Sequence, residues 1–309
     1  MTSFWLSLSS IYWDPNPNVF VIPYFDHPLR WYGLLFALGF VGAFILALPL
    51  LKQKLSKRKS LPPKVSSNDL NSIAYNYLDK LLWFIVIGTL IGARLGHVFF
   101  YEWPRYSANP IEILKIWEGG LASHGGTLGV IVAVYFYAKL KQREFPEISF
   151  LGLCDLLTIP AAFICVFIRF GNFINQEILG TATTLPWAVT FGHPADGSIP
   201  IPRHPVQLYE AIAYLATLGI LWQVWKRKSE LLSDGFMTGL LFVLIFGSRF
   251  FLEFFKEHQS IMIDENFIQT GQLLSLPFVI AGIALMVRSL KKMNKPLIST
   301  AKSDRIKLP

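Results

Sequence analysis

Long apolar runs separated by short basic clusters organise this chain. Seven runs come near the ~20 residues that a helix needs to cross a bilayer. They predict helices over about 30–51, 80–101, 119–138, 150–170, 206–225, 235–255 and 271–290. The pattern predicts an all-α integral membrane protein, a single seven-helix transmembrane domain spanning residues 1–309.

Charge gives the helices a direction. Lys52, Lys54, Lys57, Arg58, Lys59 and Lys64 follow the first run, Lys139, Lys141 and Arg143 the third, and Lys226, Arg227 and Lys228 the fifth. Arg288, Lys291, Lys292, Lys295, Lys302, Arg305 and Lys307 follow the seventh. The alternate loops hold only Arg105, Lys115, Arg203 and Lys256, with Arg30 at a boundary. Basic residues gather on the cytoplasmic side, so the N-terminus is expected outside and the C-terminus, with a tail over about 291–309, in the cytoplasm. The net charge of +8 is thus a mark of membrane topology, and no nucleic-acid partner is expected.

Segments 1–29, 102–118 and 171–205 then lie outside. They are rich in Trp, Tyr, Phe and Pro, which suits the headgroup region. Short interfacial helices are expected in the first two and a small external cap over about 171–205. Residues 56–72 and 294–309 read as solvated segments. Residues 1–29 carry no Lys or Arg, so no cleavable signal peptide is expected. Cys154 and Cys165 fall eleven positions apart on one helix, about 16 Å at 1.5 Å per residue, too far for a disulfide. No metal-ligand spacing occurs, and no metal or cofactor is expected.

Topology converts position into depth. Counting 1.5 Å per residue from the inner ends, Arg94 lies about 21 Å along its helix, Arg169 about 29 Å and Arg249 about 21 Å. Glu253 follows one turn later, and His124 falls in the first two turns of a helix running inward. All five reach the outer half of the bilayer, where polar groups on different helices are best explained by a shared cavity. Bland roles compete with this reading. Arg249 and Glu253 are spaced to pair with each other, Arg94 is suited to joining two spans, and Asn172 and Asn175 are suited to capping a helix end. Gly125 and Gly129 fit close helix packing, which leaves His124 unexplained.

Two arginines at the level of lipid headgroups match phosphate oxygens. Arginine also stabilises charge that builds on a phosphate leaving group. A histidine titrating near neutrality is suited to deprotonating an attacking thiol or hydroxyl. The residues alone therefore predict an outer-facing site for a phospholipid headgroup, with group transfer as one outcome. A transporter or flippase for an anionic lipid or solute is the alternative, although internal repeats and interrupted helices are not seen in the sequence.

The segments FDHPLRWYGLLF (25–36), GARLGHVFFYEW (92–103), GGLASHGGTLG (119–129), RFGNFINQEILG (169–180), RHPVQLYEA (203–211), SRFFLEFFK (248–256) and GQLLSLP (271–277) together resemble the bacterial prolipoprotein diacylglyceryl transferase family. The resemblance implies a multi-pass enzyme of the bacterial inner membrane. Its partners would be phosphatidylglycerol and the signal peptide of a prolipoprotein with its lipobox cysteine. The diacylglyceryl group passes to that thiol, forming a thioether and releasing glycerol phosphate. Carried over, Arg169 and Asn172 bind phosphatidylglycerol, with Glu177 and Gly180 completing the motif. Arg249 matches an essential arginine, Glu253 its partner, Tyr32 a first-span tyrosine and His124 a histidine proposed as base. Arg249 and His124 are thus the expected catalytic residues. Arg169, Asn172, Tyr32, Glu177, Gly180, Glu253 and Arg94 are the expected substrate-binding residues. The chain departs from the common pattern at Ala93, Ser123, Ile168 and Ile245, and none of these changes removes an arginine.

Overall fold

In the computed structural model the described residues are 10–23, 27–56, 66–116, 119–228, 231–257 and 269–293. Eight α-helices are present among them: α1 (Trp31–Ser56), α2 (Ser67–Phe100), α3 (Trp103–Ala108), α4 (Ser123–Lys141), α5 (Phe150–Ile174), α6 (Val206–Lys228), α7 (Phe236–Leu252) and α8 (Thr270–Met293). Every predicted run is therefore helical. Five helices, α1, α2, α5, α7 with the 3-10 turn Glu253–Phe255, and α8, are long and apolar enough to cross a membrane. α4 and α6 are not among the five. The buried face of α6 carries the polar Gln207, Glu210 and Thr217 among its apolar residues.

Three expectations change. α2 begins well before residue 80, because the Ser66 hydroxyl caps it by accepting from Asp69 N at 3.3 Å. Ala74, Tyr77, Leu78 and Leu81 then continue one buried stripe at helical spacing. Residues 57–65 and 294–309 lie outside the described residues. A short helix is expected before residue 30; residues 1–9 and 24–26 lie outside the described residues, and the described part holds strands: β1 (Ile11–Trp13), β2 (Asn18–Ile22) and β3 (His27–Arg30). The segment after α2 is helical as expected, with α3 followed by a 3-10 turn over Pro110–Leu114. Finally, β4 (Val189–Phe191) and β5 (Pro202–Arg203) form a three-stranded sheet in the order β1-β4-β5, with β1 parallel and β5 antiparallel to β4. β2 and β3 form a separate antiparallel pair.

The chain divides into two compact units, Phe40–Pro160 and Met1–Gly39 with Ala161–Pro309. In the first, α2 and α4 run antiparallel with their backbones nearly touching. A Cβ added at Gly96 would lie 2.8 Å from Gly125 Cα, and one at Gly92 would lie 2.8 Å from Gly129 Cα. Glycines four apart on each helix thus form the seam, as GxxxG-type packing requires. At its far end Tyr137 stacks edge-on with Tyr77 at 5.0 Å and donates to the Tyr77 carbonyl at 2.7 Å.

In the second unit α7 and α8 are also antiparallel. Phe246 stacks on Phe278 at 4.1 Å, and Gln272 donates to Phe250 O at 3.2 Å. Val166, Tyr214 and Ile245 bring α5, α6 and α7 together in one buried cluster, with Cys165, Ala213, Leu241 and Phe246 around it. A second cluster of Phe173, Leu179, Val189 and Phe191 seats the three-stranded sheet. Trp13 locks it by stacking on Phe173 at 4.6 Å and donating to Phe173 O at 3.0 Å.

Candidate functional site

The Val166–Tyr214–Ile245 cluster fixes what lies one turn above it. α5 and α7 climb from it and α6 descends to it, so Arg169, Glu210 and Arg249 occupy the next level on three helices. Both guanidinium charges act on Tyr214 and Cys165, which places the two arginines about the same residues. The Arg169 guanidinium also lies 5.9 Å over the Tyr214 ring.

Arg169 is buried, so its charge needs compensation. Nη1 donates to Asn172 Oδ1 at 3.0 Å, one turn along the same face of α5. Nε stands 3.0 Å from Glu210 Oε2. That contact is an ion pair out of line for a hydrogen bond, and both atoms otherwise lack a bonding partner. Glu210, fully buried, receives Lys256 Nζ on its other oxygen at 3.0 Å. The same ammonium reaches Glu253 Oε2 at 3.0 Å. In the other direction Asn172 Nδ2 donates to Glu177 Oε2 and Asn175 Nδ2 to Glu177 Oε1, each at 2.9 Å. A continuous polar chain thus runs Asn175–Glu177–Asn172–Arg169–Glu210–Lys256–Glu253.

The backbone after α5 is bent to make this possible. Glu177 N bonds Asn172 O at 2.9 Å, and Gln176 and Ile178 take φ of 55° and 57°. A left-handed β-branched residue is rare and costs energy, so the surroundings must enforce it. Gln176 is held from three sides: its amide donates to Asp14 Oδ1 at 3.1 Å, its side-chain oxygen accepts from His193 N at 2.7 Å, and its carbonyl accepts from Ala195 N at 3.1 Å. His193 and Gln176 together hold the Asp14 carboxyl below its ordinary range. Gln207 donates to Glu177 O at 2.6 Å and completes the clamp.

The remaining predicted residues divide. Gly180 pairs with Lys256 in a β-bridge and packs against the His204 carbonyl so closely that no side chain fits. Tyr32 lies on Gly171, where an added Cβ would stand 2.6 Å from its ring, and it feels the charges of Glu177 and Arg169. Glu253 bonds Lys256 rather than Arg249, and its carboxylate lies against Gly271 in the space a side chain there would take. Asn172 and Asn175 do not cap α5 through their side chains, which serve Arg169 and Glu177. Arg249, half-buried in the last turn of α7, has no carboxylate at ion-pair distance among the described residues.

Arg94 belongs to the Phe40–Pro160 unit. All five of its N–H groups go to backbone carbonyls: Nε to Ile113 at 2.8 Å, Nη1 to Gly119 and Gly120 at 2.6 and 3.2 Å, and Nη2 to Glu112 and Lys115 at 2.5 and 3.2 Å. Tyr106 covers it at 4.9 Å. A guanidinium has five donors, so this one has none left for a substrate. His124 stands in the first turn of α4, and its side chain lies outside the described residues.

Glu210 and Lys256 are the site residues that sequence reasoning passed over. Glu210 was visible as a carboxylate near the start of α6, where rim and site look alike. Lys256 was visible as one of four basic residues on the sparsely charged side.

The profile of the prolipoprotein diacylglyceryl transferase family matches residues 17–288. A phosphatidylglycerol–prolipoprotein diacylglyceryl transferase of Protochlamydia amoebophila is 38% identical, the alignment covering 95% of this chain and 98% of that protein. A protein of the same name from Tolumonas auensis is 42% identical, with 91% and 98% covered. One from Porphyromonas gingivalis is 39% identical, with 91% and 95% covered. With the match spanning nearly the whole chain, this protein belongs to the prolipoprotein diacylglyceryl transferase family.

Proposed function

We propose that this chain transfers the diacylglyceryl group of phosphatidylglycerol to the lipobox cysteine thiol of a prolipoprotein. The thiolate sulfur attacks the glyceryl carbon that bears the phosphate. A C–S bond forms, the C–O bond to phosphate breaks, glycerol phosphate leaves with the bonding pair, and the thiol proton passes to a base. The attacking thiol belongs to the substrate. The observation that carries this reading is the buried Arg169 network, a cationic site at the level where a lipid headgroup would lie, in a chain that belongs to this family.

Arg169 and Arg249 hold the phosphate, and Arg249, with no carboxylate at ion-pair distance among the described residues, stabilises the charge on the departing oxygen. Asn172, Glu177, Gly180 and Tyr32 fix the Arg169 turn, and Glu253 fixes the end of α7. His124 is the proposed base. The saturated donors of Arg94 favour a positioning role in which it pins the 112–120 loop.

The proposal includes a single polytopic domain in the bacterial inner membrane. α1, α2, α4, α5, α6, α7 and α8 cross it, with the N-terminus and the 171–205 cap outside and the C-terminus in the cytoplasm. The basic clusters support this orientation. The transferase name of the relatives favours group transfer over transport.

Arg169→Ala and Arg249→Ala should each abolish thioether formation when purified protein meets phosphatidylglycerol and a lipobox peptide, read by mass spectrometry. Full product from both variants would refute the assignment.

A further inference from the structure

Arg249 and Glu253 have the i,i+4 spacing that joins side chains on a helix. The structure nevertheless gives Glu253 to Lys256 at 3.0 Å. The cause is local. α7 ends at Leu252 and tightens into the 3-10 turn Glu253–Phe255. In a 3-10 turn the side chains at i and i+3 eclipse, so Lys256 comes over Glu253. Lys256 is not a mobile surface lysine. It is 4% exposed, its backbone pairs with Gly180, and its neighbours are tied down by Thr181 N to Phe255 O at 2.9 Å and Glu257 N to Leu179 O at 3.0 Å. Its ammonium sits between two carboxylates, 3.0 Å from Glu210 and 3.0 Å from Glu253.

We propose that Lys256 is a positioning residue that keeps Arg249 available for the anionic headgroup by occupying the carboxylate that would otherwise capture it. This rests on Arg249 binding the phosphate, as proposed above. Counting charges supports it. Arg169 and Lys256 are faced by Glu177, Glu210 and Glu253, so the network is already one negative charge in excess before Arg249 is added. Without Lys256, Glu253 becomes a partly buried anion whose nearest cation along α7 is Arg249. The phosphate would then compete with a tethered carboxylate.

The test uses full-length protein in detergent micelles with short-chain phosphatidylglycerol and a lipobox peptide. Lys256→Met keeps the bulk and removes the charge. It should raise the KM for lipid about 30-fold, the lower end of what breaking a buried charge pair costs, with a smaller change in kcat. Binding of the same lipid, measured by native mass spectrometry without peptide, should weaken in parallel. Adding Glu253→Gln to Lys256→Met removes the competitor and should recover about tenfold of that loss. Lys256→Arg should retain most of the affinity. Unchanged lipid affinity in Lys256→Met, or a double variant no better than the single one, would overturn the proposal. A lysine needed only for folding would lower Tm in single and double variants alike and leave no rescue. Should Lys256→Met not fold, Lys256→Gln carries the comparison. If the wild-type chain yields no thioether, the transferase reading fails by itself, while the lipid-binding arm still decides the role of Lys256.

Discussion

Arg94 and Arg169 are almost equally buried, 4% and 7% exposed, and their partners separate their roles. Arg94 spends every donor on one stretch of backbone, which fixes a loop. Arg169 reaches a side-chain network through single contacts, one of them poorly aligned, and such a guanidinium can exchange partners. The same logic makes Asn172 sensitive. Its amide accepts from Arg169 and donates to Glu177, and only a group with both functions does so. Asn172→Asp would set two carboxylates face to face, and activity should fall about tenfold or more, in line with the ~1–3 kcal/mol for a spoiled buried hydrogen bond. Thioether yield per mole of folded protein measures it. Arg169, Asn172 and Glu177 were legible in sequence because they lie within nine positions. The bond between Lys256 and Glu210 spans 46 positions, and the loop that saturates Arg94 lies 18–26 positions away. No local pattern announces either.

Apolar runs announce helices well because each one satisfies its own backbone. The strands were not announced, since segments of two to five residues have too little alternation to read, and their pairing depends on distant chain. Glycines need the structure to be told apart. Gly92 has the Gly125 and Gly129 backbones against it, whereas Gly219 in α6 has nothing within 4 Å of an added Cβ. Gly92→Leu should force α2 from α4, an overpacking cost of at least ~1–3 kcal/mol, visible as a lower Tm and loss of monodisperse protein. Gly219→Ala should raise stability by ~0.5–1 kcal/mol, because alanine loses less backbone freedom in a helix. Equal effects from the two would contradict the packing described.

At the scale of the whole molecule, basic clusters and apolar runs suffice to read a membrane protein, and seven motifs in order suffice to read the family. pH reaches the fold through His204, which lies against the Phe255 ring at 5.1 Å and 3.2 Å from the Tyr209 hydroxyl. Burial lowers its pKa below the ordinary 6.5. The folded chain therefore resists a proton that the unfolded chain accepts, so stability is complete above 6.5 and declines as pH falls below it. Tm in detergent should fall between about pH 7.5 and about pH 5.5, and His204→Phe should flatten part of that slope. A Tm curve identical in both proteins would remove His204 from the account.

The parallel pairing of β1 with β4 has a consequence for biosynthesis. Ser10 meets Thr190 across 180 positions, hydroxyl to hydroxyl at 2.6 Å. At ~5–20 residues per second, the ribosome needs about 10–40 s to deliver the partner after the first strand emerges. During that interval β1 is an unclaimed edge, and the clamp on Gln176 through Asp14 cannot close. Strand completion, and with it the turn that aims Asn172 and Glu177, is therefore a late event in the life of the nascent chain.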